Sequence, residues 1–152
     1  MNYLKIQQDV LKALCKGEKV EYFPTDNNGV FLTLRGSTHG WIVPEDQLHL
    51  DLAGAQLLTP LDMSAQGAPL TGTDFYRKGG CARQYNRPDG EVVYIDNGLL
   101  KYFDSPVLYQ KGVPFGPVVV VEHPIDGRPE VVGLVCPVRV KETSDDREDW
   151  EG

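Results

Sequence analysis

The apolar residues of this chain change their repeat once, at Gly17, and that change constrains the fold more than any other feature. From Asn2 to Lys16 they recur with helical spacing. At 100° per residue Tyr3, Leu4, Ile6, Val10, Leu11, Leu14 and Cys15 fall in one half of the wheel, with Lys5, Lys12 and Lys16 opposite. Asn2 suits the N-cap and Gly17 the C-cap. Beyond Gly17 the spacing drops to two, in short runs separated by Gly, Pro, Asn and Asp. The runs Lys19–Phe23, Val30–Arg35, Trp41–Val43, Thr73–Arg77, Cys81–Tyr85, Glu91–Ile95, Val107–Gln110, Pro117–Glu122 and Val131–Val140 read as strands. Leu48–Leu52 reads as a short strand or extended segment, residues 53–70 as loop with at most a helical turn, and Asn97–Phe103 as a second short helix. One amphipathic helix followed by many short strands predicts an α+β fold. The expectation is a single domain, mostly antiparallel sheet, with the long N-terminal helix packed on one face.

Length and composition agree with that plan. A chain of 152 residues, 41% hydrophobic and 24% charged, is about one domain and buries a core without staples. Cys15, Cys81 and Cys136 are odd in number and far apart, so no disulfide framework is expected and a reducing cytoplasm is the default. No signal-peptide pattern opens the chain and no apolar run approaches the ~20 residues of a membrane span, so no membrane partner is expected. Residues 141–152 hold six acids against Lys141 and Arg147 and read as an acidic disordered tail, leaving 1–140 as the folded domain.

The reactive side chains do not converge. Cys136 alternates in step with Val132, Leu134, Val138 and Val140, and Cys15 lies on the apolar helix face, so both are expected in the core. Cys81 sits in KGGCARQY, a basic setting that favours a thiolate. A small hydrolase using Cys81 or His123 with a carboxylate is therefore the enzymatic alternative. His39, His49 and His123 lack metal-ligand spacing and there is no CxxC or phosphate-cradling glycine loop, so neither metal nor cofactor is expected. His39 and His123 fall in turns and read as surface residues.

Charge offers more. The net charge is −7, yet Phe75–Pro88 carries Arg77, Lys78, Arg83 and Arg87 with no acid, interleaved with Phe75, Tyr76 and Tyr85. Cations beside aromatic rings hold phosphates and stack bases. These four, with Lys5, Lys12 and Lys16, are the candidate nucleic-acid contacts. The expected function is that of a non-enzymatic binding or accessory protein, with a protein partner or self-association as further options.

The chain also echoes itself. Gly40-Trp41-Ile42-Val43-Pro44 and Gly133-Leu134-Val135-Cys136-Pro137 both lead from glycine through three apolar residues to proline. Each glycine follows its predicted helix start, by 38 and 36 residues respectively. A duplicated unit, 1–44 and 91–140, is the implied organisation. The segment Leu134-Val135-Cys136-Pro137-Val138-Arg139-Val140 resembles the terminal strand of bacterial DNA polymerase sliding-clamp domains, which are built from two β-α-β-β-β units. The chain is also similar to small phage and mobile-element proteins. The clamp resemblance implies basic helices facing nucleic acid, and a partner-peptide pocket at Cys136, Pro137, Val138 and Arg139.

Overall fold

Asn2 starts the first helix as its position predicts: its Oδ1 accepts the Lys5 N–H at 3.0 Å and fills one orphan donor of the first turn. The helix, α1, spans Tyr3–Cys15. Gly17 ends it at φ +73, with Gly17 N–H on Leu14 O and Glu18 N–H on Ala13 O, the paired bonds of a Schellman stop. The computed structural model describes residues 1–25, 29–34, 39–61, 63–65, 67–77, 79–123 and 129–138.

Strands follow: β1 (Val20–Pro24), β2 (Gly29–Leu34) and β3 (His39–Pro44). Pro44 leads into a short 3-10 turn at Glu45–Gln47, and residues 48–52, expected as a short strand or extended segment, form no strand, with Leu48 extended. Two residues, Gln56–Leu57, form β4. Then come β5 (Thr71–Arg77), β6 (Ala82–Asn86) and β7 (Val92–Asp96), the helix α2 (Asn97–Leu100), and β8 (Val107–Tyr109), β9 (Val118–Glu122) and β10 (Glu130–Val135). The second helix is shorter than Asn97–Phe103 because the chain turns out of it at Lys101. Asp96 Oδ1 caps it, accepting from Gly98 N–H at 2.8 Å.

Seven strands make one sheet in the order β4-β1-β2-β3-β10-β9-β8, and β5-β6-β7 make a second. All pairings are antiparallel except the short β1–β4 contact. At the centre of the large sheet β3 lies against β10, with Trp41 opposite Gly133 and Gly40 opposite Leu134. The two glycines that head the echoed segments are thus neighbours, and each makes room for a ring. A Cβ on Gly40 would collide with Phe31 Cζ, and one on Gly133 would lie 2.9 Å from Phe103 Cζ and collide with the Gly40 carbonyl oxygen.

The large sheet is apolar on both sides. One face packs Val20, Leu32, Trp41, Val43, Val118 and Val120 against Ile6, Val10 and Ala13 of α1 and against Tyr85, Val93 and Ile95 of the small sheet. The other gathers Phe23, Phe31, Val119, Val121 and Leu134 beneath Leu58 and Met63. Each such side chain buried from water contributes about 1.5–3 kcal/mol. The run Val118–Val121 is therefore buried all through, unlike an alternating strand with one wet face.

Two of the cysteine expectations are corrected here. Val131 pairs with Val121 and Gly133 with Val120, so Val132 is an extra residue, a β-bulge. It sends Val132 and Val135 to one core and Leu134 to the other, breaking the alternation that placed Cys136 inside. The strand ends at Val135 and Cys136 is exposed, with its thiol held above its ordinary pKa by the partial burial that remains. Cys15 is exposed as well, because α1 buries a face centred on Ile6, Val10 and Ala13 and turns Leu4, Leu11 and Cys15 to solvent. Gln7 shares the buried face. Its amide is satisfied, donating to Tyr3 O at 3.1 Å and Gln47 O at 2.9 Å and accepting from His49 N–H at 2.6 Å.

Candidate functional site

The hairpin of β5 and β6 carries the basic strip, and its register divides the cations. Tyr76 lies opposite Arg83, and Arg77 opposite Ala82. Paired residues share a face and successive ones alternate, so Arg83 points to the side of Tyr76, Tyr85 and Ile95 and Arg77 to the other. Arg83 Nε donates to Thr73 O at 2.7 Å, and its guanidinium carbon lies 5.4 Å from the Tyr85 ring centre and 6.0 Å from that of Tyr76. Gly72 lies beneath it, and a Cβ there would meet the guanidinium at 2.8 Å, so the Arg83 side chain would have to shift. On the opposite side Arg77 Nε donates to the Tyr94 hydroxyl at 2.9 Å, and that hydroxyl donates to Gln84 Oε1 at 3.1 Å. The Arg77 guanidinium carbon is 5.3 Å from the ring centres of both Phe75 and Tyr94. Phe75 and Tyr76 stay 43% and 40% exposed, so each face of the hairpin shows one open ring beside one guanidinium. That arrangement suits a flat, electron-rich or anionic ligand.

Arg87 has a different place. It donates to both carboxylate oxygens of Asp89, to Gln110 Oε1 at 2.8 Å and to Gly112 O at 2.6 Å, and its side chain is only 7% exposed. These bonds hold the Asp89 carboxyl below its ordinary range. Arg87 braces the turn after β6 against residues 110–116. Lys5 pairs with Asp9 one turn on, at 3.3 Å, while Lys12 and Lys16 are exposed with no acidic partner among the described residues. Lys78 and Arg139 lie outside the described residues, as does the acidic segment 141–152.

Cys136, Pro137 and Val138 leave the large sheet. Val138 N–H donates to Tyr94 O at 2.7 Å and forms a single bridge at the edge of β7, tying the two sheets together. A groove of about 600 Å³ lies at the other end of β10, against Pro129–Val132, Phe23, Ile42 and Pro60–Leu61. Cys136, Pro137 and Val138, expected at a partner pocket, are not among its lining residues. Cys81 is exposed in the β5–β6 turn and has no histidine hydrogen-bond partner among the described residues, and His123 is exposed after β9. No group of three His, Cys, Asp or Glu among the described residues is placed to hold a metal ion.

Sequence reasoning misplaced His39. It begins β3, half-buried, stacked on Tyr102 with ring centres 5.7 Å apart and edge-on to Trp41 at 4.6 Å. Burial, with Lys101 nearby, lowers its pKa. Tyr102 in turn donates to Asp9 Oδ2 at 2.5 Å, and burial with that carboxylate raises its pKa well beyond the ordinary tyrosine value. The cluster packs α1 and the turn after α2 onto β3; the signal available in the sequence was Trp41, a fully buried indole whose Nε1 has no hydrogen-bond partner among the described residues. No helix among the described residues is long and apolar enough to cross a membrane. No family model, curated protein or solved structure matches this chain.

Proposed function

We propose that the chain is a non-enzymatic, clamp-like binding or accessory protein assembled from two related halves, and that it contacts nucleic acid through its cations. The observation that carries this reading is the order of the large sheet. From the central β3–β10 pair, β2 and β1 run outward on one side and β9 and β8 on the other. α1 precedes the first three strands and α2 the last three, and both pack against the same core. Read inward from β1 and from β8, the strand order is the one that a duplicated α-β-β-β unit would give. Counting β7, the second half reads β-α-β-β-β, the unit of the sliding-clamp domains that the terminal strand resembles. Residues 45–90 are an addition to that plan, supplying β4, β5 and β6.

In this reading Lys12 and Lys16 on α1, with Arg77 and Arg83 on the hairpin, are the nucleic-acid contacts, and Phe75 and Tyr76 are stacking platforms for unpaired bases. The test is polarisation of labelled single- and double-stranded oligonucleotides with the full chain. Binding is expected at 50 mM salt, and for about four duplex phosphate contacts it weakens by roughly 150-fold at 200 mM. Tyr76→Ala with Phe75→Ala selectively weakens the single strand, and Lys12→Glu with Lys16→Glu weakens both. Unchanged polarisation at 50 mM salt removes the nucleic-acid reading. Light scattering over a concentration series tests self-association, which a ring built from this chain requires.

A further inference from the structure

The loop between β8 and β9 turns its apolar side outward. Residues 110–117 read QKGVPFGP, and Val113 and Phe115 are 48% and 66% exposed. The backbone beneath them is fixed from inside. The buried Gln110 amide donates to Pro114 O at 3.2 Å and to Gly116 O at 2.8 Å, on either side of Phe115. Arg87 holds Gln110 Oε1 and Gly112 O in turn, and Gly116 N–H closes a turn on Val113 O at 3.0 Å. A loop ordered in advance loses little entropy when a partner takes it, and a rigid exposed ring beside an aliphatic side chain is the make-up of an interface anchor.

We infer that Val113 and Phe115 of one copy of the chain seat in the groove of the next copy, with Lys111 facing Glu130. Phe23, Ile42, Leu61, Met63 and Val131 give the groove an apolar lining, and Glu130 is the charged residue among them. Lys111 is the charged residue of the loop. Charge therefore selects the pairing. Loop against loop would set Lys111 on Lys111, and groove against groove Glu130 on Glu130, whereas loop in groove joins opposite signs. A copy's own loop does not fill its groove: Lys111 Nζ donates to Ser64 Oγ at 3.4 Å, but Val113 and Phe115 are not lining residues. The register of β9 shows why. Val118, next after the loop, pairs with Val135, while Val121 and Glu122 pair with Val131 and Glu130 of the groove. Loop and groove thus lie toward opposite ends of one strand. A contact between them is head-to-tail, so each joined copy still offers a loop or a groove to another. It supplies the joint that a ring of this chain needs, and it forms without nucleic acid.

The experiment is sedimentation equilibrium of the full chain, free of nucleic acid, from about 10 µM to about 500 µM. The average mass of the wild type is expected to rise past that of a dimer. Phe115→Asp and Leu61→Asp change exposed side chains, so both keep the wild-type melting temperature, and each weakens association by about 30-fold. Mixing these two variants is the decisive measurement. The Phe115→Asp chain keeps its groove and the Leu61→Asp chain its loop, so together they form a 1:1 dimer that grows no further. Lys111→Glu alone and Glu130→Lys alone weaken association, and both in one chain restore it. A wild type that stays monomeric overturns the inference, as does a Phe115→Asp chain that associates like the wild type. A mixture without the 1:1 dimer also overturns it. Oligonucleotide polarisation is read separately, so loss of the nucleic-acid reading leaves this contact standing, and the reverse.

Discussion

Arg87 belongs by charge to the cationic window of 75–88, yet its guanidinium is committed inside the molecule to Asp89, Gln110 and Gly112. Its removal is therefore expected to act on stability and not on oligonucleotide binding. Arg87→Ala leaves the buried Gln110 Oε1 without its donor, a loss of about 1–3 kcal/mol measurable by urea unfolding. Binding that falls while the urea midpoint stays fixed would refute the bracing role. His39 makes the second prediction at this scale. Its pKa is lowered in the folded state by burial and by Lys101, against the weaker pull of Asp9 and Asp96. The unfolded chain thus takes up a proton first as pH falls through about 6.5. Stability is full above that value and declines as pH drops toward the lowered folded pKa. Melting curves between about pH 7.5 and pH 5 are expected to show this loss in the wild type, and a smaller one in His39→Phe. Equal losses in both would remove His39 as the cause.

Elements were legible where a local pattern decides them. The Asn2 cap, the Gly17 stop and the 3.6-residue repeat placed α1 within a residue of Tyr3–Cys15. Period-two runs ended by Gly, Pro, Asn or Asp located most strands. The orientation of α1 was not legible in the same way. A helical wheel finds where apolar residues cluster, but the sheet buries Ile6, Val10, Ala13 and a satisfied Gln7, and leaves Leu4, Leu11 and Cys15 outside. The bulge at Val132 was equally hidden, because a run of aliphatic residues does not mark which one is extra. The arginines' separation onto opposite sides of the hairpin followed only once the register was known. The central glycines carry the prediction for this scale. Gly133→Ala is expected to cost about 1–3 kcal/mol in chemical denaturation, since its Cβ is caught between the Gly40 carbonyl and the Phe103 ring. Gly40→Ala acts through Phe31 on the other face and costs a similar amount. A neutral result at Gly133 would mean that the β3–β10 backbones can separate.

At the scale of the whole molecule the decisive contact joins distant parts of the chain. β3 pairs with β2 on one edge, but its other edge is filled only by β10, about ninety residues later. No local pattern announces such a partner, which is why the strands could be read and their order could not. The same distance sets a timetable during synthesis. At ~5–20 residues per second, β3 leaves the ribosome roughly 5–18 s before β10 exists. For that interval the nascent chain presents an unpaired edge beside Trp41, Ile42 and Val43, the kind of surface that captures other strands. A chain shortened to end before Glu130 keeps that edge open permanently and is expected to sediment as aggregate, where the full-length protein stays in the supernatant. The last strand made is thus the one that closes the middle of the sheet, and until it arrives the protein depends on whatever holds growing chains apart.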